Sequence, residues 1–149
     1  MQPEEPSGKR FRDTGTGRVL ELMVLPALQA GGYSCAAQCH VGSRLGGGKH
    51  MVDVVASDRH GKKLLVSVKW QQVSGTAEQK VPFESICLAD AIARSAGEFE
   101  RGYLVLGGEG WKLREFFTTG GLADYLQNCG TVSIVTLEWF VAKAIRGEL

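Results

Sequence analysis

The chain has 149 residues, 44% of them hydrophobic, and a formal net charge of +1. That length matches one ordinary domain able to bury roughly 70% of its unfolded surface, and the composition excludes a disordered chain. Every apolar run falls short of the ~20 residues that cross a bilayer, and the polar start, Met1 to Arg10, is not a signal peptide. A cytoplasmic domain over 16–149, free of membrane contact and preceded by a flexible tail over 1–15, is expected.

The charge is unevenly spread. Residues 1–43 hold four basic and four acidic groups, 44–80 hold seven basic and three acidic, and 81–149 hold six basic and nine acidic. A basic centre on an acidic body suits one phosphate-contacting face, although a solvated surface explains the same pattern. The cysteines are Cys35, Cys39, Cys87 and Cys129. Cys35, Cys39 and His40 lack the second ligand pair that a structural zinc site needs, so free thiols are expected.

In chain order, Thr16 caps a helix running to Gln29 and closed by Gly31-Gly32. Its segment Arg18–Gln29 is apolar on nearly every side, which predicts a largely buried helix with a kink at Pro26. A short strand over 33–41 and the glycines 46–48 lead to a strand over Met51–Ala56. Asp58-Arg59-His60-Gly61 forms a hairpin turn, and Lys63–Trp70 is the return strand. A loose segment over 71–80 precedes a helix from Phe83 to Gly97, with Pro82 in its first turn and an apolar stripe of Ile86, Ala89, Ile92, Ala93 and Ala96. A strand over Tyr103–Leu106, a helix over Leu113–Gln127 breakable at Thr118 to Gly121, a strand over Thr131–Val135 and a helix over Leu137–Ile145 complete the chain. This order predicts an α/β (α+β) fold, a central mixed β-sheet flanked by helices.

Two residues of the hairpin stand out. Strand alternation puts Met51, Asp53 and Val55 on one face, against Val52, Val54 and Ala56. In the return strand Leu65, Ser67 and Lys69 oppose Leu64, Val66, Val68 and Trp70. Asp53 and Lys69 are charges set into buried-type runs, where an unpaired charge costs several kcal/mol. They form either a structural ion pair or an active site. Glu21 is the only acid between Val19 and Leu28, and Glu84 stands in the first turn of its helix, where the dipole alone favours an acid. Asp53, a second acid and a backbone carbonyl such as that of Val68 make a set for Mg²⁺. The cation would polarise a phosphate and acidify an attacking water, with Lys69 orienting that water. Lys49, His50, Gln71, Gln72, Ser74, Thr76 and Lys80 carry the amides, hydroxyls and positive groups that read bases and grip phosphates.

With Met51-Val52-Asp53-Val54-Val55 followed by Leu65-Val66-Ser67-Val68-Lys69-Trp70-Gln71, the sequence resembles the PD-(D/E)XK nuclease superfamily, which includes type II restriction endonucleases, resolvases and repair nucleases. The resemblance implies a restriction-endonuclease-like core and Mg²⁺-dependent (or Mn²⁺-dependent) hydrolysis of DNA. Asp53 matches the motif aspartate, Lys69 its lysine, and Glu21 the first-helix glutamate of many members. Two positions depart: Val52 replaces the usual proline, and Ser67 replaces the acid two before the lysine. Some restriction enzymes with serine there take the carboxylate from the next helix, which matches Glu84. Homodimers are usual in such enzymes, and a chain this small has little room for separate target recognition, so a homodimer or a protein partner is expected. A binding subunit of the same fold without catalysis, and an unrelated α/β domain with a structural Asp53–Lys69 pair, are the competing readings.

Overall fold

The computed structural model describes residues 15–149, so the expected tail lies, up to residue 14, outside the described residues. Helix α1 runs in three pieces, Gly15–Val19, a π-helical turn Leu20–Val24 and Leu25–Ala30. The π turn accounts for Pro26. The Leu25 N–H reaches back five residues to the Leu20 carbonyl, and the wider turn makes room for a ring that lacks a donor. Only one face of α1 is buried, through Leu20, Val24, Ala27 and Leu28, while Leu22 is 69% exposed. The expectation of a largely buried helix is therefore wrong. Its apolar residues follow the spacing of a single stripe, and Leu22 and Met23 fall outside it.

Strands β1 (Ser34–Ser43), β2 (Lys49–Ser57) and β3 (Lys63–Trp70) form an antiparallel meander. Helix α2 (Ala77–Arg94) crosses over to β4 (Phe99–Gly107), which lies parallel to β3. Helix α3 (Arg114–Thr118) and a 3₁₀ turn, Gly121–Asp124, lead to β5 (Val132–Thr136), parallel to β4, and α4 (Leu137–Ile145) closes the chain. The sheet order is β1-β2-β3-β4-β5. This is a mixed sheet flanked by helices, as the sequence predicts.

The two faces carry separate cores. Val54, Ala56, Leu64, Val66, Val68, Tyr103 and Val105 pack under α1 and α4, where Phe140 is fully buried. Leu65, Leu104 and Leu106 pack under α2, against Val81, Leu88 and Ile92. Gly31 permits the contact between α1 and α4, since a Cβ there would lie 1.8 Å from the Ala144 carbonyl oxygen.

Helix α2 differs from its sequence reading at both ends. It begins at Ala77, so Pro82 lies inside it. The early start follows from Gln71, whose side-chain oxygen accepts the Ala77 N–H at 3.2 Å and supplies a cap from outside the helix. The buried face is Val81, Ser85, Leu88 and Ile92, whereas Ala93 and Ala96 are exposed. Alanine spacing was a poor guide because alanine is tolerated on either side of a helix.

Candidate active site

From the turn inward, β2 and β3 pair regularly: Ser57 with Lys63, Ala56 with Leu64, Val55 with Leu65, and Val54 with Val66. At Asp53 the ladder stops. The Val68 N–H donates instead to Asp53 Oδ2 at 2.7 Å, so a side chain takes over a role that backbone plays elsewhere. β2 also changes face there. Val52 packs with Val55 on the α2 side, while Val54 and Ala56 pack on the α1 side. The strict alternation read from sequence thus fails at Asp53. The neighbouring strand is irregular at the same level: Gln38, lying between the pairs Ala37–Val54 and Cys39–Val52, has a φ of 53°. Left-handed backbone at a residue other than glycine is sparsely populated and marks a local distortion.

Burial pushes the Asp53 carboxyl above its ordinary range; the Val68 N–H and Lys69 oppose the rise, and Glu84 adds to it. Asp53 therefore senses both Lys69 and Glu84. Lys69 Nζ stands 3.8 Å from Glu84 Oε1, with the two side chains 27% and 12% exposed. The lysine pairs with Glu84, so the competing reading of a simple Asp53–Lys69 ion pair gives way to a three-residue group.

A fourth member escaped the sequence reading. Arg44, just beyond β1, places Nη2 2.6 Å from Glu84 Oε1 and 3.9 Å from Cys87 Sγ, and its guanidinium lies 5.6 Å from the Phe83 ring centre. The hydrogen bond that Arg44 donates to Glu84 is the main cause that holds the Arg44 pKa above its ordinary value. The only signal in the sequence was that Arg44 opens the basic segment 44–80, which does not single it out.

Other expected residues fall elsewhere. Glu21 is exposed on α1, the helix on the opposite sheet face from α2, and does not join Asp53 and Glu84. Among the described residues no three histidine, cysteine, aspartate or glutamate side chains gather closely enough to hold a metal ion. His50 is buried, and burial followed by the Arg44 charge lowers its pKa; a neutral, enclosed imidazole is not a phosphate contact. Gln71 is buried too. Its Nε2 donates to the Gly110 carbonyl at 2.7 Å while its Oε1 receives the Ala77 N–H, so both ends of the amide are spent on the fold. Lys49, Gln72, Ser74, Thr76 and Lys80 are exposed, with Lys80 on α2 rather than in a loop. Ser67 is buried beside Lys69. The four cysteines are free thiols. None of the described helices is long and apolar enough to cross a membrane.

Residues 12–147 match the PD-(D/E)XK nuclease superfamily domain. The chain belongs to this superfamily. The match overturns the reading of an unrelated α/β domain, because it takes in the whole sheet and every described helix. No curated protein matches the sequence. Among solved structures, a crystallised protein of unknown function shares 12% identity with a TM-score of 0.48, over 78% of this chain and 55% of that one. A repair endonuclease from Pyrococcus abyssi shares 17% identity with a TM-score of 0.39, over 79% of this chain and 42% of that one. The chain thus spans about half the length of the structures it matches.

Proposed function

We propose that this PD-(D/E)XK member is a Mg²⁺-dependent endonuclease that hydrolyses DNA phosphodiester bonds, with Mn²⁺ able to substitute. The observation that carries the reading is the opened β2–β3 ladder, where a part-buried Asp53 takes the Val68 N–H and senses Lys69 and Glu84. A fold with no use for this carboxylate gains nothing from burying it.

The donors suit a hard cation held loosely. Mg²⁺ keeps several waters and is often bound through one or two carboxylates plus substrate phosphates, so Asp53 and Glu84 suffice without a third acid. The Val68 carbonyl is the backbone ligand in this scheme, fixed by the same residue's N–H bond to Asp53. Bound there, the cation would polarise the scissile phosphate and acidify a water. Lys69 orients that water and offsets charge on the phosphate in the transition state. Ser67, where the motif acid usually stands, lends a small neutral side chain, and Glu84 on α2 replaces the missing carboxylate. Lys49, Gln72, Ser74, Thr76 and Lys80 contact the DNA from exposed positions, whereas Gln71 and His50 hold the scaffold beneath them. A homodimer in the cytoplasm, or a complex with a protein partner, would meet both strands of a duplex in the manner of restriction enzymes.

One observation favours a second reading, a DNA-binding subunit with weak or no catalysis: Glu84 is already engaged by Arg44 and Lys69. The two readings separate on a panel of linear, supercoiled, branched and mismatched DNA incubated with and without Mg²⁺. Metal-dependent cutting of any member supports the nuclease. A folded sample that binds DNA and leaves every substrate intact supports the binding subunit.

A further inference from the structure

Arg44 occupies the carboxylate that the cation needs. Its backbone is tied into a turn, with its N–H donating to the Gly48 carbonyl at 2.6 Å and its carbonyl accepting the Gly47 N–H at 2.9 Å. Only the side chain is left to reach across to α2, where Nη2 meets Glu84 Oε1 at 2.6 Å over the Phe83 ring. The same oxygen faces Lys69 at 3.8 Å. A dication approaching Glu84 would therefore meet a carboxylate whose charge is already offset by two positive partners at Oε1. The Arg44 side chain is also 32% exposed, so it is not sealed from solvent, and a planar guanidinium matches a phosphate as well as it matches a carboxylate.

We propose that Arg44 is a substrate-operated gate: it holds Glu84 in the free protein and passes to a backbone phosphate when DNA binds, releasing Glu84 to the cation. The proposal rests on the nuclease reading above. It makes Arg44 a positioning residue and couples metal binding to DNA binding, so that each strengthens the other. Free protein then holds the cation poorly, and hydrolytic power is assembled only against a phosphate backbone. A turn anchored by its own backbone bonds suits this part, because the switch needs rotation of one side chain and no loop rearrangement.

The test measures Mn²⁺ binding to the full chain without DNA, and duplex binding in chelator at several salt concentrations. Arg44→Gln is expected to bind Mn²⁺ about tenfold more tightly than wild type. Its duplex affinity should fall less steeply with salt, by about one phosphate contact. Combining it with Glu84→Gln should abolish the gain in Mn²⁺ affinity. Arg44→Lys, a smaller disturbance of the fold, should fall between wild type and Arg44→Gln, and it decides the matter alone if the glutamine variant does not fold. Equal Mn²⁺ affinity in wild type and the Arg44 variants, with Glu84→Gln weaker, overturns the gate and leaves the nuclease reading standing. An unchanged salt dependence overturns the transfer to phosphate. No Mn²⁺ binding to any of these chains overturns the gate together with the reading beneath it.

Discussion

The two ends of the β2–β3 hairpin are built from the same kind of residues and behave in opposite ways. At the turn end the ladder is complete, and Asp58 Oδ1 accepts the His60 and Lys62 N–H groups at 2.8 and 3.0 Å. Those bonds, in the open, draw the Asp58 carboxyl below its ordinary range. At the far end Asp53 also accepts a backbone N–H, yet burial wins and its carboxyl is pushed up. One aspartate is stabilised by what it does for the chain, and the other is held against its own preference. Charge kept at such a disadvantage is what the proposed nuclease chemistry would draw on.

Several substitutions break or sharpen this contrast. The largest effect is expected at the open end: Lys69→Ala should lower DNA cleavage by about 10²–10³-fold, as loss of one charge-stabilising group does. Circular dichroism should find its fold intact. Within the scaffold beside the site, Gln71→Ala removes a buried amide bonded at both ends, which should lower stability by about 1–3 kcal/mol in a urea titration. Its duplex affinity, measured well below the midpoint, should change little. A duplex affinity that collapses without loss of stability would return Gln71 to the DNA contacts.

A part-buried carboxyl and a buried imidazole set opposite pH trends. Asp53 binds its proton more tightly folded than unfolded, so its contribution is fully present below the ordinary carboxylate pKa and is lost as pH rises through the raised value. His50 binds its proton less tightly folded than unfolded, so its contribution is present above the ordinary imidazole value of about 6.5 and is lost as pH falls through the lowered one. Thermal melts across about pH 4–8 should show the histidine loss on acidification flattened by His50→Gln, and the carboxyl trend flattened by Asp53→Asn. The smallest effect belongs to the turn: Asp58→Ala should lower the melting temperature slightly and leave cleavage unchanged.

Much of the fold was legible because its signals are local. The bounds of β3 and α4 could be read directly from β-branched runs, turn residues and helical spacing. The early start of α2 was not legible, since its cap comes from a glutamine six residues away that composition assigns to a loop. Nor was the π turn at Pro26, which proline chemistry signals only as a disturbance. For the site, Asp53 and Lys69 stood out as charges in apolar surroundings; Glu84 stood out through an expected helix start, although α2 begins at Ala77 and carries Glu84 inside it. Glu21 gave the same signal and belongs to an exposed face of α1, because one acid in an apolar helix does not say which side it is on. Arg44 gave no signal beyond its place at the head of the basic segment, because its contact with Glu84 spans 40 positions of sequence.

The central claim is that Asp53 is kept for function at the expense of the fold. It is tested by comparing wild type and Asp53→Asn from matched preparations, melting each and assaying DNA cleavage with Mg²⁺. The asparagine keeps an acceptor for the Val68 N–H and sheds the charge. It should melt a few degrees higher, on the order of 1 kcal/mol, and lose Mg²⁺-dependent cleavage. A variant that melts lower than wild type and cuts DNA at the wild-type rate would contradict the account.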